Sequence, residues 1–394
     1  MARWESAHPP RPDERHQLLL AHLYARTPTG QIALGPGSDF AELIDALAHL
    51  GESARQLAEL RSVLVQAATD QGGGMLALLS TAAQSALAAT MADPSLTDEH
   101  AVAALSAVVS DVNSQVGSLP FVRLQLMLAP ALEACRQLAI GPVPEPLLPH
   151  LRAVAVATHT FAGRLAFETR DDVASRSLYT AAAREASLLP DPWRRPVVHM
   201  SHALVTLYST QGLDGARTLV DAAVCDARNS GSAVVRALAH ALQAEIAARA
   251  GQERQAQAAL GLARYDMERS HQRDPSMTSF TAGHLRGFEG VCELYVGDPA
   301  AAHERFAVSA DALVAPREQV QRAIVTTDQA LARIRMNDPR SAAELLHQCV
   351  VSASATGGRV PAIRLRRARQ ELRPWRHEGW VADLDDHLMD ALGS

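Results

Sequence analysis

Apolar positions recur at three- and four-residue intervals along nearly the whole chain, and nowhere do they alternate over the length of a strand. Residues 13–25 are amphipathic at helical spacing. Residues 38–50 open on the cap pair Ser38-Asp39 and carry a helical apolar stripe. Further helices are predicted over 53–69 and 75–92, separated by Gln71, Gly72, Gly73 and Gly74. Another starts at Thr97, where acidic residues occupy the first turn. Pro120, Pro130, Pro142, Pro144 and Pro146 are expected to break 115–150 into shorter pieces. The pattern predicts an all-α chain.

The second half repeats itself. Five helical pairs are predicted near 157–187, 197–229, 234–269, 281–312 and 318–354. The second helix of each pair carries a small, a large and a small residue at i, i+4 and i+7. The triplets are Ala174, Leu178, Ala181; Ala216, Val220, Ala223; and Ala256, Leu260, Ala263. Two more follow: Ala302, Phe306, Ser309 and Ala342, Leu346, Cys349. Successive anchors lie 42, 40, 46 and 40 residues apart. Twelve residues before each anchor, mid-way along the first helix, stand Ala162, Leu204, Ala244, Gly290 and Ala330. Small residues on one face let two helices approach closely, and the bulky residue between them fills the groove. Ala174, Ala216, Ala256, Ala302 and Ala342 are therefore expected to be buried at helix crossings. One such pair cannot cover its own apolar face, so neighbours must stack.

This spacing resembles the second helix of the tetratricopeptide repeat. The period of 40–46 residues is longer than that family's, and aliphatic residues replace most first-helix aromatics, so the repeats are degenerate. The resemblance implies a right-handed superhelical solenoid of antiparallel helix pairs over 151–356, preceded by a helical region at 37–150 and closed by capping helices at 357–394. It also implies a concave groove lined from the first helices. Carried over position by position, the groove residues are His159, Phe167, Ser201, Tyr208, Glu245, Arg249, His284, Tyr295 and Thr327. Residues 1–36 resemble the tail of an Xre-like helix-turn-helix domain of actinobacterial regulators, through Arg3, Trp4, Glu5, Pro10, Arg11, Pro12, Leu23, Tyr24, Arg26, Thr27 and Pro28. The stretch from Arg364 to Trp375, with Leu384, Asp385, Asp386, His387 and Leu388, is similar to the end of the same regulators. The resemblance implies a regulatory protein that binds a protein, a peptide or a small signalling molecule, with a homodimer among the expected partners. A stand-alone scaffold is the alternative. The recognition helix of that family would precede Trp4, so this chain alone is expected not to read DNA sequence.

Composition narrows the chemistry. The formal net charge is -6, and all 37 basic residues are arginine. That balance gives no general attraction to nucleic acid or anionic lipid. The exception is a basic patch at Arg364, Arg366, Arg367, Arg369 and Arg373, which also fits the solvated face of a terminal capping helix. Cys135, Cys225, Cys292 and Cys349 are widely separated and read as small buried hydrophobes. No apolar run suits a signal peptide or a membrane span, so the chain reads as soluble and cytoplasmic. His199 and His202 share a helix face but lack further ligands at metal spacing. Glycines 72–74 lack the strand and the Gly-Lys-Ser/Thr ending of a phosphate loop. No catalytic residue, metal or cofactor is predicted.

Overall fold

The computed structural model of the chain describes residues 17, 20, 21, 24, 25, 36–58, 60–61, 79–210, 212–270, 274–276 and 279–392. Apart from Tyr24, the residues that resemble a helix-turn-helix tail lie outside the described residues, as do glycines 72–74. The described residues are helical almost throughout, with one isolated bridge between Val116 and Leu119 and no strand. Two compact units form: Met1–Val108 with Ala129–Pro142, and Val109–Leu128 with Val143–Ser394.

In the first unit, α1 (Asp39–His49) starts where the Ser38 side chain accepts from the Ala41 amide. Its Phe40, Ile44 and Leu47 are buried with Ala21, Ala25 and Leu60. α2 (Thr81–Ala92) is capped in the same way by Ser80. α3 (Glu99–Ser114) and α4 (Phe121–Ile140) each contribute residues to both units. Pro130 does not break α4, contrary to the sequence expectation; the helix runs through it. An interior proline costs a helix about 3 kcal/mol. Here Leu124, Leu128, Ala131, Ala134, Cys135 and Leu138 all bury on that helix, and together they outweigh the cost.

The second unit is built from helix pairs. They are α5 (Leu148–Glu168) with α6 (Asp172–Ser187), α7 (Arg194–Ser209) with α8 (Asp214–Ala227), and α9 (Ala233–Arg249) with α10 (Glu253–Glu268). α11 (Ala282–Val296) pairs with α12 (Pro299–Ala312), and α13 (Gln319–Arg335) with α14 (Pro339–Thr356). The turns inside three pairs share one device. Arg170, Gly251 and Asn337 adopt left-handed backbone, and the next amide returns to the carbonyl of Ala166, Ala247 or Arg333. Asp171, Asp298 and Asp338 then cap the second helices of their pairs. α15 (Arg359–Glu371) and α16 (Gly379–Leu392) end the chain. The first helices α5, α7, α9, α11 and α13 touch in series, and α15 touches both α13 and α5, which closes the series.

Ala216, Ala256, Ala302 and Ala342 are fully buried. Ala174 is only half-buried, and this corrects the register of the first pair. Its triplet is Ser175, Tyr179 and Ala182, all buried, one residue later than expected. The Ser175 hydroxyl donates to the Gly163 carbonyl at 2.8 Å, and a Cβ on Gly163 would lie 3.0 Å from the Tyr179 ring. Two small residues stand side by side both at 162–163 and at 174–175, so apolar spacing alone admits either register. The bulk of Tyr179 selects the one that places glycine beneath its ring. Among the cysteines, Cys135, Cys292 and Cys349 are buried, whereas Cys225 is exposed.

The same packing recurs at Gly290, where a Cβ would lie 2.7 Å from the fully buried Phe306 ring. Gly290→Ala is expected to destabilise the unit by about 1–3 kcal/mol through overpacking. Gly261, inside α10, has open space around its Cβ position. Gly261→Ala is expected to stabilise by up to about 1 kcal/mol. Urea unfolding of both variants checks the pair, and equal midpoints would contradict the assigned crossing.

Candidate ligand cavity

The inner helices of the second unit line an open-sided cavity of about 250 Å³. Its wall is mainly apolar: Phe167 from α5, Leu204 and Val205 from α7, Leu238 from α9, Phe288 and Val291 from α11, Phe306 from α12, and Ile324 and Val325 from α13. Ser279 and Phe280, just ahead of α11, complete it on one side, and Val360 and Arg364 of α15 on another. The polar lining residues are Arg164, Glu168, Ser201, Tyr208, Glu245, Ser279, His284, Gln321, Asp328 and Arg364. Small-molecule sites have this composition, an apolar wall with sparse polar groups that fix orientation.

Five of the nine groove residues expected from sequence line this cavity: Phe167, Ser201, Tyr208, Glu245 and His284. Arg249 lines a second cavity of about 230 Å³, which adjoins the first at Tyr208, Asp328 and Arg364. Tyr295 lines neither cavity, but its hydroxyl accepts from Arg249 Nη1 at 2.8 Å and from Arg367 Nη1 at 2.6 Å. Thr327 is buried, and its hydroxyl donates to the Ala323 carbonyl. His159 is buried in α5 away from the cavity, as the shifted register requires. Counted from Gly163 instead of Ala162, the positions one, four and five residues further on are Arg164, Phe167 and Glu168, which all line the wall, whereas those three and six residues before, Thr160 and Ala157, do not. Arg164 and Glu168 were hidden by that one-residue slip. Asp328 had no signal in the sequence.

The arginines of α15 do not form one solvated patch. Arg364 is 9% exposed; it donates to Asp328 Oδ2 and to the Tyr208 hydroxyl. The apolar residues that seat α15, Leu365, Ala368 and Leu372, pull that face of the helix inward, and Arg364 goes with it. Arg367 reaches Tyr295, and Arg369 pairs with Asp385 of α16. Arg366 and Arg373 remain exposed.

Burial controls the titration of the polar groups. It pushes the Glu168 carboxyl up, against the pull of Arg164 and of two backbone amides that donate to it. His284, near the Glu318 carboxylate, is lowered mainly by burial. His202 stacks flat on Tyr179, ring centroids 4.7 Å apart, and burial brings it down to about 4. Tyr179 in turn shares a 2.8 Å hydrogen bond with Ser201 at the cavity wall. His199 sits 3.6 Å from Asp226, and the described residues hold no cluster of metal-ligating groups.

The stack carries a pH prediction. Unfolded, His202 titrates near the ordinary 6.5, and folded near 4, so between these values the unfolded chain binds the extra proton. The contribution of His202 is complete above about 6.5 and is lost as pH falls toward 4. His202→Phe keeps the stack and removes the proton site. Thermal melts between these pH values are expected to show a shallower acid-side decline for the variant, and identical slopes would contradict the assignment. Among the described residues no helix is long and apolar enough to cross a membrane. No family model, curated protein or solved structure matches the chain.

Proposed function

We propose that this chain is a non-catalytic regulatory protein that senses a small molecule in the cavity lined by its inner helices. In this reading the helix pairs are degenerate tetratricopeptide-like repeats wound as a right-handed solenoid, the effector part of an Xre-like regulator. The observation that carries it is the cavity itself: about 250 Å³, with apolar side chains from α5, α7, α9, α11, α12 and α13 and polar groups set among them. A small ligand is favoured over a protein or an extended peptide because α15 lies against the inner helices where such a partner would lie. Its residues 359–364 reach Glu168 and Asp172 at one side and Asp328 at the other.

The uncharged dye Nile red tests the apolar wall. Expected is saturable binding of one dye per chain with enhanced fluorescence. Leu204 is 38% exposed although it lines the cavity, so Leu204→Trp fills the space without displacing core. That variant is expected to keep the far-UV spectrum of the parent and to lose the dye. Dye binding that survives Leu204→Trp would place it elsewhere and overturn the reading. A protein partner co-purifying in equal amount, with no small-molecule uptake, would favour the scaffold alternative.

A further inference from the structure

We infer that the second cavity is an oxoanion site, and that the ligand of this protein is an organic phosphate whose apolar body lies in the larger cavity. The inference rests on the small-molecule reading above and adds the chemistry of the ligand's charged end. The second cavity is walled by Arg249, Arg364 and Arg367, with Tyr208 and Asp328 beside them and Leu207, Leu331 and Ile363 completing the wall. Two of these guanidiniums are deeply buried, the Arg249 and Arg364 side chains being 10% and 11% exposed.

Their compensation is incomplete. Glu245 binds Arg249 at 2.7 Å and Asp328 binds Arg364, and no other carboxylate is ion-paired with the three arginines among the described residues. The third cation, Arg367, is exposed and has no carboxylate among the described residues, so three cations share two anions; Arg335, whose Nη1 donates to the Leu294 carbonyl, lies outside the cavity wall, 5.7 Å from the Tyr295 ring centroid. The remaining acceptors are two phenols. The Tyr208 oxygen accepts from Arg249 and Arg364, and the Tyr295 oxygen accepts from Arg249 and Arg367. A neutral phenol is a poor partner for two guanidiniums, because hydrogen bonds from a cation gain most when the acceptor carries charge. One donor has no acceptor at all: Arg364 Nε is buried and makes no hydrogen bond among the described residues. A buried donor of this kind costs free energy that a ligand oxygen would recover.

An oxoanion supplies what the protein lacks here. It carries the missing negative charge and offers several acceptor oxygens to converging guanidinium forks, the geometry in which arginine recognises phosphate. The apolar cavity is immediately adjacent, since Tyr208, Asp328 and Arg364 line both spaces. A phosphate ester can therefore place its charge among the arginines and its apolar body against Leu204, Phe288 and Phe306.

The test uses the full chain and three probes by titration calorimetry at constant ionic strength: inorganic phosphate, phenyl phosphate and phenol. Phosphate is expected to bind, and phenyl phosphate to bind at least tenfold more tightly. Arg367→Gln changes an exposed residue and leaves the buried pairs intact; it is expected to weaken both phosphates at least tenfold. Arg366→Gln, one position along and facing solvent, is expected to change neither. Leu204→Trp is expected to remove the advantage of phenyl phosphate while leaving inorganic phosphate bound. No phosphate binding, or binding indifferent to Arg367→Gln, overturns the oxoanion site. Phosphate binding that depends on Arg367, without any gain for phenyl phosphate and without Nile red uptake, upholds the oxoanion site and defeats the reading of the larger cavity. Phenol binding as tightly as phenyl phosphate overturns the proposal that the ligand is a phosphate.

Discussion

Arg364→Met is expected to destabilise the second unit by about 3–5 kcal/mol, the usual cost of removing one partner from a buried ion pair. Asp328 is 6% exposed, and Arg364 is the guanidinium that neutralises it. Without that cation the carboxylate stays buried and uncompensated, or α15 lifts away and lets water reach it. Both outcomes cost stability. The Tyr208 hydroxyl loses one of its two guanidinium donors as well. The double variant Asp328→Leu, Arg364→Met is expected to recover most of the loss, because a buried pair replaced by apolar groups of similar size is often near neutral. Urea unfolding of the two single variants and the double variant gives the coupling directly. Single variants within about 1 kcal/mol of the parent would mean that Arg364 is solvated and that α15 does not seal the inner face.

That burial illustrates what the sequence could and could not specify. The five pairs are legible because each repeats its own local chemistry: helical apolar spacing, a small–large–small triplet and a breaker. The all-helical class follows from periodicity alone, and four of the five crossing alanines are found where their spacing placed them. The first pair slipped by one residue because two small residues adjoin at both of its contact points, and only the fit of Gly163 under Tyr179 decides between them. The cavity was half legible. Positions counted from a repeat found Phe167, Ser201, Tyr208, Glu245 and His284, because groove offsets are a property of one helix. Arg364 and Asp328 come from helices whose meeting depends on how the whole series closes. A run of arginines at 364–376 reads as a solvated face until the placement of α15 is known. Local propensity makes Pro130 a helix break, and the burial of its helix neighbours that overrides it is not a property of local propensity.

Glu168→Ala is the second large effect expected, about 2–5 kcal/mol, and it tests how the series of inner helices is closed. α15 begins after Gly358, which has no side chain to cap it. Its first two amides, on Arg359 and Val360, instead donate to Glu168 Oε2, at 2.7 and 3.2 Å. A carboxylate from the end of α5 thus caps a helix roughly 190 residues away in the chain. Helix N-termini favour such a group, because unpaired amides and the helix dipole both point toward it. Glu168 is 3% exposed, so its removal leaves both amides without acceptor and largely without water. Each orphaned buried donor costs about 1–3 kcal/mol. Glu168→Gln keeps an acceptor oxygen in place and is expected to cost far less. The neighbouring pair between Arg359 and Asp172 is more open, with the aspartate side chain 32% exposed, so Asp172→Asn is expected to cost less than about 1 kcal/mol. Hydrogen exchange separates a cap from a general loss of stability. In Glu168→Ala the amides of 359–365 should exchange fastest, while those of α9 and α10 keep the protection of the parent. Uniform acceleration across the unit, or no change at α15, would show that Glu168 is not the group that holds that helix in place.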